Sequence, residues 1–231
     1  MKTAGKVAQI PYTLTRRRSS KNIVLRVNDF GQVEVSAPFL TPKAMIEEFI
    51  LANEEKLLAR MAERRERHHH YTDGDRFLYE GRYTELSVVH GSTYHITEQD
   101  GILRAVTIEE ERPPEVVEAL VLHLYKKRTR QRVQAMLPDW AMKLNVATPP
   151  FSVRDSKKRW ASCSSKGRLN FSLRCQALDD EQLSYLVLHE LSHLIHFDHS
   201  PDFHALLQQH MPSYKKVQRS LAAVQEESQL I

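Results

Sequence analysis

The chain has 231 residues, of which 41% are hydrophobic and 27% charged, with a formal net charge of +4. That is enough apolar material for a sizeable core, in one domain or two small lobes. It gives no apolar run of the ~20 residues a membrane-spanning helix needs, and the two cysteines, Cys163 and Cys175, are too few for a cysteine metal site.

Residues 9–37 read as β structure. Ile23, Leu25 and Val27 alternate with polar residues, as do Val33 and Val35, and Asn28-Asp29-Phe30-Gly31 supplies a turn between them. A long helix is expected next, with Thr41 as N-cap and Pro42 at N1. Its apolar stripe is Met45, Ile46, Phe49, Ile50, Leu57, Leu58 and Met61, and its polar tail runs from Glu63 to His70. Residues 76–107 return to strand patterns, with turns at Gly81 and Gly91 and a hairpin signal at Asp100-Gly101. The charged, proline-bearing segment Glu109–Pro114 is the expected boundary, giving a β-rich lobe over 1–110 and a second domain over 111–231. A helix is expected from about Glu115 to Met136, ended or kinked by Pro138. Residues 151–175 read as strands with two basic turns, after which come the helix described below, a short helix from Pro201 and a last amphipathic helix with Val217, Leu221 and Val224. Met1 to Arg18 has no apolar signal core, so a cytoplasmic protein with reduced cysteines is expected.

Chemistry concentrates in His189-Glu190-Leu191-Ser192-His193 and the later His199. On a helix, residues four apart share a face, so His189 and His193 can present two imidazoles to one metal. Glu190 then lies beside the metal, where a carboxylate can take a proton from water. Three protein ligands leave a coordination position open, as a catalytic zinc site requires. The third ligand is read as His199 rather than His196, because one straight helix cannot aim residues 189, 193 and 196 at one tetrahedral centre. Asp198 and Asp202 flank His199; either could orient an imidazole, but solvated turn carboxylates are the expected reading. The helix itself is well signalled. Asp179 and Gln182 form a capping-box pair, and Leu183, Leu186, Val187, Leu191, Leu194 and Ile195 make it mostly apolar. Histidines and a glutamate inside such a helix need partners, and a metal supplies them.

The segment Arg154 to Phe171 contains a basic stretch, then Trp160-Ala161-Ser162-Cys163, then a strand with Leu169-Asn170. With Tyr185-Val187-His189-Glu190-Leu191-His193-Leu194 and His199-Ser200-Phe203, it resembles the signature of the YgjP-like metal-dependent hydrolases, kin to the SprT-like and WLM zinc peptidases. The resemblance is dense over 151–220. It implies an α+β fold with a compact zincin-like core: a helix, a short antiparallel sheet and the HExxH helix, preceded by the β-rich lobe. It implies Zn2+ held by His189, His193 and His199, Glu190 as general base, and a peptide or protein substrate. Strand residues 168–173 are then either the partner of an extended substrate or a fully paired internal strand. Ala161, Asp198 and His204 stand where the family has glycine, asparagine and tryptophan. His204, His210, Tyr214 and Lys215 are candidates to stabilise an oxyanion.

Two other readings remain. Basic clusters such as Lys126-Lys127-Arg128 with Arg130 and Arg132, and Lys157-Lys158-Arg159, allow a nucleic-acid partner whose bound proteins are the substrate. The same chemistry also serves non-peptide amides.

Overall fold

A computed structural model describes residues 2–27, 31–67 and 69–228. The chain divides into two compact units between residues 68 and 69.

In the first unit, strands β1 (Lys2–Val7), β2 (Ile10–Arg17), β3 (Val24–Val27) and β4 (Val33–Pro38) form a sheet in the order β1-β2-β4-β3. Strands β2 and β4 run parallel; the other pairs are antiparallel. Alternation sends Ile10, Tyr12 and Leu14 of β2, and Val33, Val35 and Ala37 of β4, into one core. Helices α1 (Lys43–Leu51) and α2 (Glu54–Arg67) add Ile46, Ile50, Leu57 and Met61. One long helix was expected here, and it is broken at Ala52-Asn53. The Asn53 side chain donates to the Phe49 carbonyl at 2.9 Å, a local bond that competes with helix continuation. Met45, Phe49 and Leu58 of the expected stripe stay exposed. Pro42, extended at ψ 145, is itself the N-cap, so the helix starts one residue late. Residues 28–30 of the expected turn and the side chains of 63–68 lie outside the described residues.

The second unit opens with β5 (Arg76–Tyr79), β6 (Arg82–His90), β7 (His95–Gln99) and β8 (Ile102–Thr107), ordered β5-β6-β8-β7. Its two-residue turns, Glu80-Gly81 and Asp100-Gly101, have positive φ at both positions, as type I′ hairpins demand. Helix α3 (Pro114–Lys143) buries Val117, Val121, Tyr125, Val133 and Leu137. These share one core with Phe77, Leu86 and Leu103 from the sheet and with the elements that follow. The expected boundary at 110/111 is therefore a connection inside one unit, and the break falls at 68/69. Pro138 does not end α3. It sits on the exposed side, where water can satisfy the carbonyl left without its amide partner.

Strands β9 (Phe151–Arg154), β10 (Ala161–Cys163) and β11 (Leu169–Ser172) form a small sheet ordered β10-β11-β9. It is mixed rather than antiparallel, because β9 runs parallel to β11. A 3-10 turn, Leu173–Ala177, leads to α4 (Asp180–Ser192), and α5 (Pro201–His210) and α6 (Tyr214–Ser228) follow. The fold is thus α+β. Helix α4 starts where the capping pair predicts. Asp179 accepts from the Gln182 amide at 2.7 Å, and the Gln182 side chain accepts from the Asp179 amide at 3.2 Å. The helix packs against α3, α5, α6 and β10. Trp140 of α3 donates to Ser184 at 2.8 Å and Gln182 donates to Ser220 of α6 at 3.0 Å, pinning α4 on both sides. Among the described residues, no helix is long and apolar enough to cross a membrane.

The Gly81 turn touches this start. Its amide donates to the Ala177 carbonyl at 2.8 Å, and a Cβ there would lie 2.7 Å from Asp179 Cβ. Gly101 has the same φ of +78 but nothing within 4 Å. Gly101→Ala should cost about 1–2 kcal/mol of left-handed strain. Gly81→Ala should cost a further ~1–3 kcal/mol of overpacking, measured by urea unfolding. Equal midpoints for the two variants would refute the contact.

Candidate metal centre and active site

His189 and Glu190 lie in the last turn of α4. His193 is its C-cap and keeps helical angles, φ −68 and ψ −14. It therefore still stands one turn above His189, and their ring centroids are 5.0 Å apart. The chain turns after the helix and returns with His199, next to Ser200, the N-cap of α5. One ring nitrogen from each of His189, His193 and His199 falls within 4.8 Å of the others. The Nε2 atoms of His189 and His199 are 3.3 Å apart. Tetrahedral bonds of 2.0–2.1 Å would hold two nitrogens about 3.4 Å apart, so the donors present fit a tetrahedral ion.

The remaining ring nitrogens have partners. His189 Nδ1 meets the Tyr185 hydroxyl at 3.4 Å, and His193 Nδ1 meets the His196 carbonyl at 3.2 Å. Those bonds fix ring orientation and leave the opposite nitrogens for the cluster. His196 thus contributes its backbone, while His199 joins the ring cluster. Asp198 is fully exposed and bonds Ser200, and Asp202 is exposed in the first turn of α5. Both are the solvated turn carboxylates the sequence favours, and a tyrosine and a carbonyl orient the imidazoles instead.

Phe203 is fully buried and meets all three imidazoles, with centroids 5.1, 4.8 and 4.9 Å away. It is the platform on which the cluster rests. The sequence carried it only as part of a family pattern. Of the four oxyanion candidates, the structure brings His204 and Tyr214 nearby. The His204 ring is 6.4 Å from that of His199, its Nδ1 is 3.4 Å from the Tyr214 hydroxyl, and Tyr214 stacks on Tyr185 at 6.4 Å. Lys215 reaches over the Tyr214 ring, and His210 closes α5 outside this stack.

Burial shapes the electrostatics. It pushes the Glu190 carboxyl up to about 7, partly opposed by a hydrogen bond from the Cys163 amide and by the Arg159 charge. Burial also lowers His189 to about 4, helped by His193, His199 and His204. Burial lowers His193 as well. Both shifts favour the neutral imidazole at His189 and His193, the form that binds metal. Cys163 and Cys175 are free thiols. Cys175 is buried, pushed up to about 12, and donates to the Trp160 carbonyl at 3.3 Å.

Of the two readings of residues 168–173, the fully paired internal strand holds. β11 is the centre of its sheet, bonded to β10 on one side and β9 on the other. The free edge beside α4 belongs to β10. Ser164 donates to the Arg168 carbonyl and Trp160 accepts from the Ser172 amide, so residues 160 and 164 face β11. By antiparallel alternation, Ala161 and Cys163 turn their amides outward, and the Cys163 amide meets Glu190.

Two histidines from the end of a buried helix and a third from the turn after it, beside a carboxylate and an open strand edge, are the arrangement of a metallopeptidase domain. The YgjP-like, metallopeptidase domain family model matches residues 21–224, and the chain belongs to that family. It is a hydrolase of the metal-dependent peptidase class. A solved structure, the metallopeptidase zymogen of Methanocaldococcus jannaschii jannalysin, aligns over 39% of this chain and 94% of that one, at 20% identity and a TM-score of 0.36. A comparison with curated proteins finds no match.

His199→Ala should lower metal affinity strongly, whereas His196→Ala, which keeps the carbonyl, should leave it nearly unchanged. Tyr185→Phe should weaken it by about 10-fold or more. Metal competition titrations read all three. Loss in His196→Ala matching that in His199→Ala would overturn the ligand assignment.

Proposed function

We propose that the chain is a zinc-dependent peptidase in which His189, His193 and His199 hold the metal and Glu190 is the general base. The observation that carries the reading is the convergence of three imidazole nitrogens, two of them 3.3 Å apart, next to a buried carboxylate. Three imidazoles and an open fourth position suit zinc, while hard cations such as calcium and magnesium prefer oxygen ligands. A zinc ion there would supply Lewis acidity, polarising a carbonyl and bringing the pKa of water toward ~7.

The chain's own residues do the rest. Glu190 takes a proton from the attacking water and returns it to the leaving amine. Its Cys163 partner fixes the carboxylate against β10. An extended substrate would pair with the outward amide and carbonyl of Ala161, which gives affinity with little sequence preference. His204 and Tyr214 are the neighbours placed to donate to a developing oxyanion.

Three arginines of α3 find local partners. Arg128 bonds Glu80 at 3.3 Å, Arg132 bonds Asp180 at 2.8 Å, and Arg130 lies over Phe151. These contacts give the three arginines a part in the fold, and the peptide reading is the one adopted.

Glu190→Gln should retain metal at wild-type stoichiometry and lose at least ~10²-fold in kcat/KM on a cleaved peptide. Chelation should abolish wild-type cleavage and added zinc should restore it. Turnover by metal-loaded Glu190→Gln at the wild-type rate would sink the general-base role.

A further inference from the structure

A cleft of about 620 Å3 opens beside the candidate site. Its size falls within the ~300–1,000 Å3 range of ligand pockets. His189 and Glu190 form one end, and Trp160, Ala161, Tyr185, Leu186, Leu221 and Ala222 line most of the rest. Gln218 and Gln225 of α6 complete the lining. We propose that this cleft is the selectivity pocket of the enzyme, taking one uncharged apolar side chain of the substrate next to the bond that is cut, with Ala222 setting its depth. The proposal rests on the peptidase reading above and adds to it the class of residue recognised.

Three observations point the same way. The cleft is continuous with the reacting groups, since Glu190 and His189 are among its walls. Ala161 also belongs to the free edge of β10, so a peptide lying along that edge drops alternate side chains toward the cleft. Among the described residues the lining contains no lysine or arginine, so an acidic side chain would enter with no cation to offset the loss of water, which is costly. Among the described lining residues a basic side chain would find Glu190 as its carboxylate partner and would occupy the general base. An apolar side chain meets neither obstacle. It gains from leaving water against Trp160, Leu186 and Leu221.

Ala222 is the lever. It lies on the exposed side of α6, one residue after the buried Leu221, and is a wall of the cleft. A larger side chain there fills the cleft without disturbing the core.

The test has two arms. In the first, zinc-loaded wild type and Ala222→Phe digest a random peptide mixture, and cut sites are read by mass spectrometry. Wild type should favour large apolar residues at one position flanking the cut. Ala222→Phe should shift that position toward glycine and alanine by at least tenfold, at unchanged metal content. An unselective wild type, or an unshifted Ala222→Phe profile, overturns the pocket.

The second arm needs no turnover. The chain has two tryptophans, Trp140 and Trp160. N-acetyl-leucinamide titrated into the metal-loaded protein should change tryptophan emission saturably, the change should vanish in Trp160→Phe, and the midpoint should rise at least tenfold in Ala222→Phe. N-acetyl-aspartate amide should give no such change. If no peptide is cut but this arm succeeds, the pocket stands and the peptidase reading falls. If the leucine probe gives no saturable change, the pocket falls.

Discussion

The whole second unit is organised by one requirement: α4 must be buried while carrying a glutamate and histidines. Leu183, Val187, Leu188 and Leu191 are completely hidden, and Glu190 is 5% exposed. Buried polar groups are costly unless paired. The surrounding elements therefore do two jobs. They cover α4, and they supply partners at defined points. Strand β10 provides the Cys163 amide for Glu190, Tyr185 provides its hydroxyl for His189, and the turn after α4 provides the His196 carbonyl for His193. The ring nitrogens facing one another are the groups this scheme leaves for a cation.

Helix α6 is tied into this arrangement more closely than its position late in the chain suggests. Ser220 accepts from Gln182 at the start of α4, and Tyr214 stacks on Tyr185 and on His204. The ring that orients His189 is thus itself held by α6, and the same helix walls the adjacent cleft through Leu221 and Ala222. Support of the metal centre and shape of the cleft are properties of one packed surface. Changes on the buried side of α6 should disturb both together, while changes on its exposed side can alter the cleft alone.

What was legible in the sequence was local. The Asp179–Gln182 capping box, the Asp100-Gly101 turn and the four-residue spacing of His189 and His193 each depend on a few neighbouring residues, and each is found as expected. What was missed depended on distant packing. Strand β1 is nearly devoid of apolar residues and exists because it pairs with β2. The central place of β11 follows from β9 joining it in parallel from 18 residues earlier. Pro138 looked like a stop because its cost is local, yet α3 continues because Leu137 before it and Ala141 beyond it are held in the core. The unit boundary escaped notice for the same reason: Glu109–Pro114 has the composition of a linker, but the sheet before it and the helix after it share one hydrophobic cluster. Phe203 carried no chemical signal, since an apolar residue announces neither a ligand nor a base.

The protonation pattern shows why the burial of α4 serves function as well as stability. Desolvation disfavours charge of either sign. It therefore lowers His189 and raises Glu190 in the same environment. For the histidines this is already the state that ligation needs. For Glu190 it is a carboxyl brought close to neutrality, where an acid and its conjugate base are both accessible and proton transfer in either direction is easy. A divalent cation at the three imidazoles would favour the ionised carboxylate and oppose protonation of the histidines. Cation binding and burial thus act together on the histidines and against each other on Glu190. That opposition leaves the carboxylate basic enough to accept a proton, while its low exposure keeps it from being tied up by bulk water.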